Sequence, residues 1–321
     1  MTGPALAPPD VVCRRTADGG WALRSAQPLD LETPTVLHRL RHWAEAAPER
    51  TFLAERDDTG GWRRLAYGEA ARRVERVAQG LLERGVGPRA AVAILSENEL
   101  NNAVLRLAAM TVGAAVVPVS PSYSLLSRDF ARLRAIVALT EPALVYVEDV
   151  ARYAPALAAL DAPPRVVASR NADAYPGAEP FERLAAAPTG AVAAASGRVT
   201  PDAVAAIFFT SGSTGQPKGV ITTQRMICAN QQAIAQVWPF LAERPPVLLD
   251  WLPWHHTFGG NDNLHKMLWH GGTLYVDRGR PTPDGFEESI ANLRKVSPTR
   301  YINVPRGLEL LLPRLERDAE L

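Results

Sequence analysis

Directly behind an apolar run, the stretch IFFTSGSTGQPKGV, from Ile207 to Val220, gathers seven hydroxyl-bearing or glycine residues and one lysine. A loop this dense in glycine can bring several backbone N–H groups close to one anion, because glycine has no side chain to hold a ligand away. Serine and threonine hydroxyls add donors. Lys218 adds a mobile positive charge that suits a polyphosphate as a point charge instead of a bidentate fork. An isolated GSTG is as readily a generic turn as an anion site. Two other readings of the string fail on spacing. The common nucleotide loop needs Gly-Lys followed by Ser or Thr, whereas Lys218 stands between Pro217 and Gly219. A serine-hydrolase elbow needs Gly two residues either side of the Ser, and the position two before Ser213 is Ser211.

A second concentration of chemistry follows, with His255, His256, His265 and His270 inside sixteen positions. A metal site is improbable there, since no Cys or His pair has finger-like spacing and no HExxH occurs.

The elements that position these residues read as alternating strands and helices. A helix is expected from Pro34 to Ala47, stopped by Pro48, and TFLAERDDTGGWRRLAY reads as a hairpin turning at Asp58, Thr59, Gly60 and Gly61. An amphipathic helix should run from Tyr67 to Arg84 and end at Gly85. Short apolar runs predict buried strands at Ala90 to Ser96, at AAVVPVS ending near Pro118, at Ala143 to Asp149 and at Pro164 to Ser169. Helices over Glu97 to Thr111 and Ser127 to Leu139 lie between them. The alternation implies an α/β fold with a parallel-rich sheet covered on both faces. Asn171 to Thr200, rich in Ala, Pro and Gly, reads as a surface excursion, after which the strand Ala203 to Phe209 lets the same sheet resume. The glycine-rich string then leads to a helix beginning near Thr223.

Composition narrows the partners. The 321 residues are 47% hydrophobic and 21% charged, and 35 Lys plus Arg nearly cancel 34 Asp plus Glu, so nothing points to nucleic acid or a membrane surface. Two cysteines, Cys13 and Cys228, make no disulfide framework. No signal-peptide pattern or membrane-span-length apolar run occurs, and the expectation is a cytoplasmic protein.

TSGSTGQPKG resembles the phosphate loop of the adenylate-forming superfamily of acyl-CoA and aryl-CoA synthetases, peptide-synthetase adenylation domains and luciferases. YGEAARRVERVAQGL, AAMTVGAAVVPVSPSYS and LPWHHTFGGN match in order and approximate spacing, so the resemblance runs over nearly the whole chain. Within the superfamily, DWLPWHHTFGGNDN, HGGTLYVDRGRPTP and INVPRGLELLLP resemble feruloyl-CoA synthases more than fatty acyl or acetyl enzymes. The resemblance implies layered parallel-rich sheets with flanking helices. It also implies ATP-dependent ligation of an aryl carboxylate, a hydroxycinnamate such as ferulate, to coenzyme A through an adenylate, with Mg²⁺ on the phosphates.

Carried over residue by residue, Thr210, Ser211, Gly212, Ser213, Thr214, Gly215 and Lys218 match the loop that holds the β- and γ-phosphates, with Thr214 next to Mg²⁺. His256 matches the position between the phosphates and the acyl site. An imidazole suits that place because it can donate a hydrogen bond to a developing anion. Trp254, Phe258, Gly259 and Asn261 are candidates to shape an acyl pocket, where the two aromatics would offer flat apolar surface and Gly259 would leave room, with core packing an equal reading of both rings. Tyr123, Trp251, Trp269 and Tyr275 read as packing residues.

Family members normally continue well past PRLERDAEL. The resemblance therefore implies that residues 1–321 form a partial, N-terminal adenylation domain. The later aromatic-Gly-Thr-Glu motif, the ribose-binding aspartate, the hinge and the small C-terminal domain with its lysine have no match here. Unpaired sheet edges, an uncovered apolar face and little activity of these residues alone are expected. Two other readings stay open: a non-catalytic nucleotide-binding module, and an adenylation enzyme serving another aryl acid or a carrier protein.

Overall fold

The computed structural model describes residues 4–57, 59–161, 164–211, 217–282 and 284–318. Its strands, in chain order, are β1 (Val11–Arg15), β2 (Trp21–Ser25), β3 (Thr51–Arg56), β4 (Trp62–Ala66), β5 (Ala91–Leu95), β6 (Ala115–Pro118) and β7 (Leu144–Asp149). β8 (Arg165–Arg170), β9 (Glu179–Pro180), β10 (Val204–Ser211), β11 (Pro217–Thr223), β12 (Val247–Asp250) and β13 (Thr273–Val276) follow. The first helices are α1 (Leu37–Ala46), α2 (Tyr67–Glu83) and α3 (Leu100–Thr111).

Two sheets organise the body, and both are parallel-rich. One has seven strands in the order β11-β10-β6-β5-β7-β8-β9, with only β11 antiparallel to its neighbour. The other has the order β12-β13-β3-β4, parallel except for the β3–β4 hairpin. In the second sheet β13 pairs with β3 through Leu274↔Leu53 and Tyr275↔Ala54, although about 220 residues separate them in sequence. Among the described residues no helix is long and apolar enough to cross a membrane.

α3 shows why the sheets stack. Its sequence LNNAVLRLAAMT is mostly apolar, with Arg106 as its single charge and no polar stripe to give to water. All twelve residues are buried, and the helix packs on both β6 and β3. Its first free amide, Leu100 N–H, donates to Glu55 Oε2 of β3 at 2.9 Å, so a carboxylate of one sheet completes the positive end of a helix lying on the other. The larger core, with Phe52, Leu53, Leu81, Leu105, Ile94 and Leu274, fills this middle layer. A second core, with Val147, Tyr153, Leu157 and Val166, covers the opposite face of the seven-stranded sheet.

The sequence expectations hold for most of the alternation. The hairpin, the helix ending before Gly85, the strands near Ala90, Ala115, Ala143 and Pro164, and the resumption of the sheet at β10 are all present. The chain departs from them in three places. The polar start contains the β1–β2 hairpin, whose residues are almost all exposed. The excursion Asn171–Thr200 is more ordered than expected, because Thr189 caps a helix, Gly190–Gly197, through Ala191 N–H, and Gln79 Oε1 in turn accepts from Thr189. The third departure bears on function. The glycine-rich string does not lead straight into a helix: β11 intervenes, and the helix Gln224–Val237 starts after it with Thr223 as its cap. β11 lies on the edge of the sheet, with Val220 and Ile221 about half exposed.

Tyr67 ties α2 to the second sheet. Fully buried, it places its hydroxyl 2.9 Å from the carbonyls of both Met267 and Gly272, ahead of β13. Tyr67→Phe keeps the ring contact with Phe52 but leaves those acceptors in an apolar layer. It is expected to cost ~1–3 kcal/mol of stability by urea denaturation.

Candidate functional site

The parallel strands β5, β6 and β7 end on one edge of their sheet, and β3, β12 and β13 end facing them. Between these ends lies a cleft of about 840 Å³. Asn98 and Glu99 line it after β5, Ser120 and Ser122 after β6, Glu148 at the end of β7, and Trp251, Pro253 and His255 after β12. Ligands of open α/β sheets bind outside the carboxyl ends of the strands. β10 ends at this same edge, because it runs parallel to β6 through Ala206↔Val116.

The glycine-rich string is flanked by the antiparallel strands β10 and β11. Ser211 pairs with Pro217 and Thr210 with Lys218, so the ladder fixes both ends of the string. Thr210 and Lys218 are cross-strand neighbours, at the ~5 Å Cβ spacing of such pairs, and both are exposed. Lys218 makes no ion pair among the described residues. Gly212, Ser213, Thr214 and Gly215 lie outside the described residues.

The other candidates occupy one continuous segment after β12. His256 is exposed and precedes a π-helical turn, Thr257–Asn263, a rare geometry often found at functional sites. Its backbone carbonyl accepts from Gly260 N–H at 2.9 Å, and its ring lies 4.4 Å from that of His255. His255, not His256, lines the cleft. Burial, then the neighbouring His256 and Arg106, push the His255 imidazole down to about 3, so it is neutral at physiological pH. His265 and His270 are buried and pushed down to about 4.

Trp254, at 1% exposure, belongs to the larger core, whereas Phe258 is 39% exposed. The room expected at Gly259 is filled by backbone: a Cβ there would lie 2.4 Å from the Leu252 carbonyl and 2.6 Å from that of Pro253. Asn261 sits within the π-helical turn, and its carbonyl accepts from Gln231 and contacts His265 Nδ1. Trp251, expected to pack the fold, also lines the cleft, while Arg39 lies over the Trp269 ring and Tyr275 meets Trp62 edge to face. Tyr123 packs against the second core.

Three residues absent from the sequence reading hold this segment: Asn98, Arg106 and Asp250. Asp250, fully buried at the end of β12, accepts from Leu252 N–H at 2.9 Å and from Asn263 Nδ2 at 2.8 Å, joining the start of the segment to the end of the π-helical turn. Arg106 carried the one available signal, a lone charge inside an apolar helix.

Two carboxyls at this edge titrate near neutrality. Burial raises Glu99 to about 7 against a hydrogen bond from Tyr146, and burial raises Asp250 to about 7 against the bonds from Leu252 and Asn263. A folded pKa above the unfolded one means that the folded state holds more protons between the two values. This contribution to stability is fully present below about pH 4.5 and is lost as pH rises through about 7 for Glu99. Glu99→Gln is therefore expected to flatten the decline in urea-measured stability between those pH values. A slope unchanged from wild type would refute the assignment.

Residues 40–320 match the AMP-binding enzyme family. The chain is 28% identical over 279 residues to the hybrid PKS-NRPS synthetase mycA of Thermothelomyces thermophilus, covering 86% of this chain and 6% of the relative. It is 26% identical over 270 residues to the long-chain-fatty-acid–CoA ligase heimdall of Drosophila melanogaster, covering 79% of this chain and 38% of the relative. The chain thus spans well under half the length of these curated relatives. Among solved structures, ATP-bound MatB from Rhodopseudomonas palustris superposes with a TM-score of 0.68 at 24% identity, over 89% of this chain and 52% of the other. The glycine-rich string between β10 and β11, the strand-end cleft and the match over residues 40–320 have one meaning: the chain belongs to the AMP-binding family of adenylate-forming enzymes.

Proposed function

We propose that the protein is an ATP-dependent acid–thiol ligase acting on an aryl carboxylate, a hydroxycinnamate such as ferulate, and that residues 1–321 are the N-terminal part of its adenylation domain. The observation that carries this reading is the TSGSTGQPKG string, whose flanking residues Thr210 and Lys218 pair between β10 and β11 where β10 ends on the edge of the parallel strands. The aryl preference rests on the resemblance of DWLPWHHTFGGNDN and INVPRGLELLLP to feruloyl-CoA synthases, and on Phe258 as an exposed ring beside His256.

In the first step a carboxylate oxygen of the acid attacks the α-phosphorus of MgATP, forming the acyl-adenylate and releasing pyrophosphate. In the second, the thiol of coenzyme A attacks the acyl carbon and AMP leaves. Thr210, Ser211, Gly212, Ser213, Thr214 and Gly215 would donate to the departing phosphates, Thr214 would help hold the Mg²⁺ that offsets their charge, and Lys218 would add a positive charge there. His256, exposed beside the cleft-lining His255, would donate to the substrate carboxylate or adenylate. Thr210 and Lys218 are held by the β10–β11 ladder before the reaction, so little reorganisation of these two is needed as charge develops.

Pyrophosphate release by the intact protein, compared between ferulate and a long-chain fatty acid, tests the reading. Release with ferulate supports it. Release with the fatty acid alone overturns the aryl assignment, and MgATP binding by calorimetry without any adenylate favours a non-catalytic nucleotide module instead.

A further inference from the structure

We propose that Asn98, with Arg106 behind it, positions His256 by locking the segment Leu252–Trp254 to the end of the seven-stranded sheet. The proposal rests on the reading of His256 as a substrate-facing residue. Asn98 follows β5 and reaches across to the other sheet with both ends of its amide. Its Nδ2 donates to the Leu252 carbonyl at 2.9 Å, and its Oδ1 accepts from Trp254 N–H at 2.9 Å. This pairing imitates one rung of a strand ladder, made by a side chain. Arg106, fully buried in α3, donates from Nη2 to the Trp254 carbonyl at 3.1 Å. Its Nε and Nη1 have no partner among the described residues. A buried guanidinium with one acceptor is costly, and an apolar residue would suit this layer better on stability alone. Its one hydrogen bond goes to the peptide group next to that held by Asn98.

The locked segment is the seat of the π-helical turn. A Cβ on Gly260 would lie 2.1 Å from the Trp254 carbonyl, and one on Gly259 would lie 2.4 Å from that of Leu252, so the turn rests on the segment without slack. His256 joins the two, with its N–H donating to the Pro253 carbonyl at 3.1 Å and its carbonyl accepting from Gly260. A shift of Leu252–Trp254 therefore moves His256. Asn98 also lines the cleft, so its grip is open to whatever enters there.

The test compares Asn98→Ala, Arg106→Met and Arg106→Lys in the intact protein by two readouts. In pyrophosphate exchange, Asn98→Ala and Arg106→Met are expected to lower kcat roughly ten- to a hundredfold with KM for MgATP unchanged, the cost of misplacing a reacting group by about an ångström. Arg106→Lys, which keeps a donor to Trp254, is expected to recover most of that loss. In imidazole NMR, the His255 and His256 resonances are expected to move in Asn98→Ala while those of His38 and His42, on α1, stay put. Unmoved His256 resonances overturn the proposal, as does movement of all six histidines, which would mean general unfolding. If the wild type forms no adenylate, the proposed function fails, while the NMR comparison still decides the positioning role.

Discussion

Lys218→Ala is expected to lower adenylate formation about 10²- to 10³-fold in pyrophosphate exchange, the range for removal of one preorganised donor from developing charge. Thr210↔Lys218 is the last but one rung of the β10–β11 ladder, so the lysine stem is anchored to a sheet and its position is set before any ligand arrives. Its ammonium is exposed and makes no ion pair among the described residues, so removing it breaks no internal contact and should leave stability unchanged. Lys218→Arg keeps the charge but replaces a compact ammonium with a planar fork, and should recover only part of the rate. His256→Ala should also lose rate in the same assay. A Lys218→Ala rate within fivefold of wild type, with unchanged stability, would remove the lysine from the mechanism.

Gly260→Ala should be strongly damaging. The added Cβ would sit 2.1 Å from the Trp254 carbonyl oxygen and 2.8 Å from its carbon, and backbone cannot swing aside as a side-chain tip can. Either the π-helical turn lifts away or the Leu252–Trp254 segment is pushed off Asn98 and Arg106. The expected cost exceeds ~3 kcal/mol in urea denaturation, with loss of pyrophosphate exchange. Gly197→Ala is the control, since a Cβ there meets nothing within 4 Å; it should be neutral or stabilising by ~0.5 kcal/mol. A Gly260→Ala protein as stable and active as wild type would mean that the turn is looser than the geometry shows.

The sequence revealed what depends on local pattern. Continuous apolar runs predicted β5 and β7, and the spacing of Val74, Val77, Ala78 and Leu81 predicted α2, because each pattern is read within a few turns of chain. β11 escaped because PKGVITT keeps most of its side chains exposed and takes its strand conformation from pairing with β10. The loop string and the two histidines were visible as a motif. The cleft was not, since it is enclosed by the ends of strands from β3 to β13 that meet only after the sheets stack. Asn98 was invisible for the same reason: its partners, Leu252 and Trp254, lie more than 150 positions away.

The pairing of β13 with β3 has a consequence for biosynthesis. The β3–β4 hairpin leaves the ribosome early, but the strand that covers its inner edge comes about 220 residues later. At 5–20 residues per second the nascent chain carries an uncovered, apolar strand edge for roughly ten to forty seconds. During that interval Phe52 and Leu53 lack the layer that buries them, which makes the waiting hairpin the point where a chaperone or a neighbouring nascent chain would first bind.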